Sequence, residues 1–377
     1  MSKSLNFWEA VATLVGTIIG AGILGIPFAV HKVGFGAGLI FLFVLGIAVM
    51  FVHLMVGEMM LRNKEDHQIA GCVKKYVGHG WQYLEYLAIF IGNYGALLAY
   101  IIAIGAVLSA MWGGDAEWHS IIFWLAGSIV LYFGLKWVKV IELIMVIGVF
   151  SVVLIISGAG ASSLSQITWF ENIGFHNTFL LYGVILFAYA GTGAIFSVKK
   201  ILNEERRLIK KAIVYAGLIA MVVYVLFTAT VLAICGGNVT EVATVGLGSA
   251  LGRWAIIVGN LFAFFTLSTS FLSVGLGLKQ IFEYDLKINH RVAWLLVVFV
   301  PFLLFLSGIR DFITILGVVG AFSFGASGIL IVTAYRRAKK LGDQRPVFAL
   351  SRSALMEILL LIMFSAGIVY AIWDMVR

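Results

Sequence analysis

The chain has 377 residues, of which 62% are hydrophobic and 12% charged, and its formal charge is +8. Soluble domains are about 45–50% apolar and about 25% charged, so this composition excludes a soluble enzyme and indicates a polytopic membrane protein with no room for a separate soluble domain. The basic residues lie in short stretches between apolar runs, which argues against a nucleic-acid surface.

A bilayer-crossing helix needs about 20 predominantly apolar residues. On that rule eleven spans are expected in an all-α, single-domain chain. The first covers residues 5–30; residues 1–6 carry one Lys, with no small-residue cleavage site after the apolar run, and read as its start, not as a signal peptide. The second covers 35–61 and is followed by a polar, partly amphipathic connector, 62–76. Spans three, four and five are expected at 81–112, 118–133 and 138–157. After a polar loop (162–177) come spans six and seven, at 178–201 and 209–235. A Gly-rich loop, 236–252, has the composition of a short re-entrant piece, and spans eight to eleven follow at 253–282, 292–307, 312–335 and 354–373.

Lys and Arg gather in cytoplasmic loops. With eleven spans, one alternate set of loops holds 22 of these residues and the other holds 4, namely Lys32, Arg253, Arg310 and Arg377. The N-terminus is therefore expected in the cytoplasm and the C-terminus outside the cell (inner) membrane. Cys72 and Cys235 then fall on opposite faces, which predicts no disulfide, and their spacing is not that of a metal site.

Two spans are interrupted. Residues 16–27 read G-T-I-I-G-A-G-I-L-G-I-P. Gly costs a helix interior about 1 kcal/mol relative to Ala, and Pro about 3. A glycine face for close helix packing is the plainer account, but Pro27 directly after the cluster favours a broken helix. Broken backbone at membrane depth is tolerated only where protein buries it or it lines a cavity. Span six carries the second interruption, Phe187-Ala188-Tyr189-Ala190-Gly191-Thr192-Gly193-Ala194, five spans after the first. Glycine-broken spans at corresponding positions of two halves point to an inverted-repeat transporter. The expected halves are 5–157 and 178–335, with 354–373 as an additional helix and both broken helices unwound at mid-membrane.

The first interruption, together with Gly57-Glu58 at the end of span two, resembles the amino acid/auxin permeases and, more closely, the bacterial aromatic amino acid permeases of the amino acid–polyamine–organocation superfamily. That resemblance implies a LeuT-type fold of five plus five helices and transport of amino acids, hydrophobic or aromatic ones being favoured.

An unwound helix exposes free amides backed by the positive end of the next half-helix, which suits a carboxylate. Gly20, Ala21, Gly22 and Ile23 are the expected amide donors, and the carbonyls around Phe187, Ala190 and Gly191 the expected acceptors for an α-ammonium group. A zwitterion fits, because no deep charged side chain is available to pair with a charged substrate. Tyr189, Thr192, Asn93 and Tyr94 are candidates for the side-chain pocket, though a buried Tyr or Asn needs a partner in any core. Span eight places Thr266, Thr269, Ser270 and Ser273 on one helical face, which interhelical hydrogen bonding would also explain. The resemblance implies that Thr269 and Ser270 hydroxyls join the Gly16 and Ile19 carbonyls around sodium. Some relatives place a Lys of span five there and work without sodium, whereas this span has only Lys139, at its cytoplasmic end. The bacterial aromatic permeases are generally taken as proton-coupled, so the coupling cation stays open between Na+ and H+.

Glu58 and Glu85 are expected in gate ion pairs with loop Arg or Lys in preference to a proton relay, and a proton-carrier role for His53 or His176 is the lesser reading. The basic run 199–211 reads as a connector lying near anionic headgroups. The expected partners are thus a small-molecule amino acid, a coupling cation and the lipid bilayer, with no nucleic acid and no cofactor. An amino-acid receptor on the same fold is the competing class; it usually signals through a cytoplasmic tail, and residues 1–6 are too short for one. An enzyme would need clustered carboxylates, His or a nucleophile–base pair within the spans, which the sequence lacks.

Overall fold

A computed structural model describes residues 3–133, 158, 167–169, 174–351 and 353–376. Among these there is no β-strand. The helices are α1 (Lys3–Ile18), α2 (Gly22–His31), α3 (Phe35–Leu61), α4 (Ile69–Tyr76), α5 (His79–Trp112), α6 (Ala116–Phe133), α7 (Phe175–Ala188), α8 (Ala194–Ile201), α9 (Ile209–Cys235), α10 (Ala243–Leu251), α11 (Arg253–Gln280), α12 (His290–Leu306), α13 (Phe312–Val319), α14 (Gly325–Leu341) and α15 (Ala354–Val376). One π-helical turn, Gly320–Phe324, joins α13 to α14 without a break, and another, Ile281–Asp285, follows α11.

Seven of these stretches are long and apolar enough to cross a membrane: α3, α5, α6, α9, α11, α13 through α14, and α15. The pair α1–α2, bent by 51° at its break, makes an eighth if counted as one span. Of the other three expected spans, the sixth is divided into α7 and α8, and the ninth is the 17-residue α12. The fifth, 138–157, lies outside the described residues. The chain is a multi-span helical membrane protein. Its outer faces carry exposed apolar stripes at helical spacing, among them Ile40, Val44 and Ile47 on α3 and Ile122, Leu125 and Ile129 on α6. In water such stripes would be a liability, whereas against lipid tails they are the expected exterior.

The segments between spans also take shape. The amphipathic connector folds as α4 and turns Ile69, Ala70, Cys72, Val73 and Tyr76 inward. Burial pushes the Cys72 thiol up to about 12. Cys72 and Cys235 are both free and buried. The Gly-rich loop contains α10, packed on α2, α9 and α11. Gly34 makes the reversal from α2 to α3 at φ +89°, a backbone conformation that side chains disfavour.

Contacts between loops sort them into two ends. At one end Lys75 pairs with Asp343 at 2.6 Å, Gln344 donates to the Leu61 and Asn63 carbonyls, and Lys199 reaches Asp66 at 2.8 Å. At the other, Phe35 and Gly36 amides donate to the Thr168 and Trp169 carbonyls, Asn177 to the Lys32 carbonyl, and Arg310 to Glu117. The first end gathers the Lys- and Arg-rich loops.

Lys199 shows what holds that end together. Its side chain is buried, and Nζ donates both to the Met60 carbonyl (3.0 Å) in the last turn of α3 and to Asp66. A helix C-terminus leaves its last carbonyls without intrahelical donors, so the Met60 contact satisfies an otherwise orphaned acceptor. The Lys199 hydrogen bond to Asp66 holds that carboxyl below the usual carboxylate range. That contribution is present above the unfolded Asp value and is lost as pH falls through the depressed one. Lys199→Ala should therefore lower the thermal unfolding midpoint, by the equivalent of about 1–3 kcal/mol for a stranded buried acceptor. Asp66→Asn, at a largely exposed carboxylate, should cost under about 1 kcal/mol. Melting curves of the two variants in detergent check the order.

Candidate functional site

The two interruptions lie against each other. In the first, α1 ends when the Ile19 amide donates to the Val15 carbonyl, and the Gly20 amide turns back to Ile18 at 2.9 Å. The next helix starts with the Ile23 amide, one of the expected donors, donating to Gly20 at 3.4 Å and Leu24 donating to Ala21 at 3.0 Å. Between these bonds, the Ala21 and Gly22 amides donate to no backbone carbonyl among the described residues. In the second, Ala190 donates to the Phe187 carbonyl (3.1 Å) and Ala194 to that of Gly191 (3.0 Å), so two of the expected acceptor carbonyls already hold one local hydrogen bond each. A Cβ added to Gly22 would stand 2.5 Å from Ala188 Cα, and one on Gly191 would stand 2.7 Å from the Ile18 side chain. The broken backbones are in direct contact.

Tyr224 of α9 ties them. Its hydroxyl lies 2.7 Å from the Ile18 carbonyl and 2.7 Å from the Ala188 carbonyl, the last carbonyls of α1 and α7. The residue is wholly buried. One O–H thus serves two acceptors that the breaks leave without helical partners. No local pattern in the apolar run 209–235 marks Tyr224, and only the tertiary fold reveals its role.

The expected site residues divide by location. Gly20 faces α11: an added Cβ there would lie 3.1 Å from Ser270 Oγ, so the first break and the hydroxyl face of α11 are neighbours. Thr269 Oγ1 donates to the Phe265 and Thr266 carbonyls of its own helix. Ala21, Gly22 and Ile23 are buried, while Gly16 and Gly20 are partly accessible and Ile19 is buried. Phe187 is buried edge-on against Phe324. Tyr189 is buried toward α3, where its hydroxyl donates to the Leu42 carbonyl at 3.2 Å and its ring meets Tyr224 edge-on. Asn93 and Tyr94 are half-buried on α5. Tyr94 lies next to Phe90, which stacks on Phe282 beyond α11, and neither residue hydrogen-bonds to a break among the described residues.

Ala190 and Thr192 open on another side. They line a cavity of about 20 Å³ between α3, α14 and α15, together with His53 and Ser327. Nearby, the π turn and the start of α14 send two hydroxyls toward α5: Ser323 donates to the Ala88 carbonyl and Ser327 to Glu85 Oε1 at 2.6 Å.

The two carboxylates differ from each other. Glu58 forms the expected ion pair with Arg62 at 2.7 Å and also accepts from Tyr335 and the Leu350 amide. Glu85 was expected to do likewise, but among the described residues it has no basic partner and instead accepts from Ser327. The helical position that brings it inward faces α14, away from any loop cation. His176 is held by Tyr370 at 3.0 Å.

Comparison with known proteins decides the family, because residues 3–374 match the tryptophan/tyrosine permease family. The chain belongs to that family. It is 26% identical over 369 residues to the tyrosine-specific transport system 1 of Haemophilus influenzae, covering 90% of this chain and 89% of that one. To the tryptophan-specific transport protein of the same organism it is 25% identical over 338 residues, 80% of each chain. To the low affinity tryptophan permease of Escherichia coli K12 it is 24% identical over 382 residues, 91% and 89% of the two chains. A member of this permease family is a transport protein, not an enzyme.

Tyr224→Phe should destabilise the fold by about 1–3 kcal/mol, because the buried Ala188 carbonyl loses its donor and the Ile18 carbonyl keeps only the Gly20 amide. Gly22→Ala should lower the melting temperature more than Gly20→Ala does. The first would strike the Ala188 backbone, whereas the second meets a hydroxyl that can rotate away. Thermal unfolding of the three purified variants tests both statements.

Proposed function

We propose that the chain is a secondary active transporter that carries aromatic L-amino acids with a cation across the cell membrane. It would do so by alternating access around the two breaks. The observation that carries this reading is the contact between two broken helices in a chain whose whole length matches the permease family. Relatives named for tryptophan and tyrosine transport support the aromatic class. The free Ala21 and Gly22 amides at the start of α2 suit the substrate carboxylate, with Gly20 beside them leaving room for it. The carbonyls of the second break, of which Ala190's takes no backbone hydrogen bond among the described residues, suit the ammonium group.

A five-plus-five inverted repeat is supported by the way the halves pack. The pair α1–α2 packs on α9 as the pair α7–α8 packs on α3; α5 packs on α6 as α11 packs on α12. The short α4 packs on α5 as the short α10 packs on α11. Eleven spans are supported by the ends: α6 finishes near Lys279, at the basic end, and Thr168 and Trp169 lie at the opposite one. The basic end reads as cytoplasmic, which puts the N-terminus inside and the C-terminus outside.

For the coupling cation, sodium would sit between the Gly16 and Ile19 carbonyls and the Thr269 and Ser270 hydroxyls. Thr269 gives its proton to its own helix, which leaves oxygen lone pairs free for a cation, and Ser270 lies beside Gly20. The purified chain in proteoliposomes, offered labelled tryptophan, tyrosine, phenylalanine and leucine under separate sodium and pH gradients, tests the whole reading. Accumulation of the aromatic members under one gradient is expected, and Gly20→Leu should abolish it by filling the carboxylate site. No accumulation of any amino acid under either gradient would overturn it. Thr269→Ala should weaken uptake only if the sodium gradient drives it.

A further inference from the structure

Two ionisable side chains are buried without the partners their chemistry calls for. His53 on α3 is 2% exposed, and its Nε2 has no hydrogen-bond partner among the described residues. Glu85 on α5 is 1% exposed; Oε1 accepts from Ser327, and Oε2 has no partner among the described residues. Core packing alone does not account for them, because buried polar groups in folded proteins are nearly always hydrogen-bonded. An unpaired buried charge is costly, so an ionisable group kept in such a place points to a function.

The two groups are joined through one space. His53 and Ser327 line the same cavity of about 20 Å³, and Ser327 Oγ is 2.6 Å from Glu85. The imidazole thus borders one small cavity, and the carboxyl reaches the same cavity wall through the Ser327 hydroxyl. The same cavity is walled by Ala190 and Thr192 of the second break, and a Cβ on Gly191 would lie 3.4 Å from His53 Cε1. Any rearrangement of that break changes the surroundings of both ionisable groups.

Of the other charged groups on elements packed against α3 and α5, Lys74, Lys210, Lys211 and Lys340 are exposed, and several more are held elsewhere. Glu58 is paired with Arg62, Arg336 with Glu357, and Lys75 with Asp343. Lys199 is paired with Asp66, and His290 with Glu283. Arg337 donates to the Tyr76 and Val77 carbonyls, Lys279 to that of Leu131, and the Tyr86 hydroxyl to Asp285.

We infer that His53, Ser327 and Glu85 form a proton-binding site whose occupancy is coupled to the second break. One proton from water binds at the imidazole or the carboxylate. Ser327 passes it by giving its own proton to Glu85 while taking one from the cavity side, so no other bond changes and the site gains one positive charge. Its use in transport rests on the function proposed above; the binding of the proton does not.

The test has two arms on the full chain. In detergent and without substrate, infrared spectra of the wild type show a carboxyl band that titrates with pH and is missing from Glu85→Gln. In proteoliposomes, accumulation of labelled tryptophan driven by a pH gradient falls at least about fivefold in Glu85→Gln and in His53→Gln, the lower range of coupling between linked sites. Tryptophan counterflow continues in both, which separates lost coupling from lost folding. Ser327→Ala keeps both ionisable groups and shifts the pH profile of uptake, and it decides the matter if Glu85→Gln does not fold. A titrating band unchanged in Glu85→Gln, or wild-type accumulation in both variants, overturns the proposal. A band that titrates and is lost in Glu85→Gln, in a chain that moves no amino acid, upholds the proton site and defeats the transport reading instead.

Discussion

The fold depends on capping broken backbone where water cannot do it. A helix that stops inside an apolar body leaves carbonyls and amides without partners, each costing several kcal/mol if left bare. Most of that need is met locally, by the tight turns from Gly20 to Ile18 and from Ala190 to Phe187. What remains is the last carbonyl of α7, and Tyr224 donates both to it and to the Ile18 carbonyl that ends α1. Since one hydroxyl reaches both, the two breaks must lie at the same depth and side by side. The position of α9 thereby sets the register of the whole interrupted core.

Close approach is the second constraint. Lipid tails are as apolar as side chains, so helix association in a membrane relies on packing and hydrogen bonds. Glycine supplies the packing wherever two backbones meet. Gly22 lies on Ala188, and Gly183 lies against Gly317 and Gly320 at the π turn. The π turn is part of the same solution, since it shifts α14 so that Ser323 and Ser327 both reach α5. Extra-residue turns of this kind are frequent at functional positions.

The interruptions were legible because glycine writes its cost into the sequence at fixed places, whereas Pro27, expected to mark the first break, lies inside α2. The short helices α4 and α10 were legible from a polar connector with apolar spacing and from a glycine-rich loop. Tyr224 was not, because in an apolar span a tyrosine looks the same whether it fills space or caps a carbonyl. Ser327 and Glu85, 242 positions apart, carry no mutual signal either. Gly22 was expected to offer its amide to a ligand, and the Ala188 backbone occupies the place its side chain would take. The sequence marks where the chain is free of side chain, but only the neighbouring helix determines what fills the space.

The placement of these groups bears on coupling. The amides of the first break face one side of the α7–α8 interruption, with Ser270 near Gly20. His53 and the cavity lie on another side of that interruption, toward α3 and α14. The short stretch 189–193 is therefore a common wall between an amide-lined break and an ionisable pair. A ligand that moves this wall must alter how His53 and Glu85 are solvated, and a proton that settles on them must alter how the wall packs. Linkage of that kind is reciprocal. It needs no long pathway here, since a side chain at the Gly191 position would meet both Ile18 and His53.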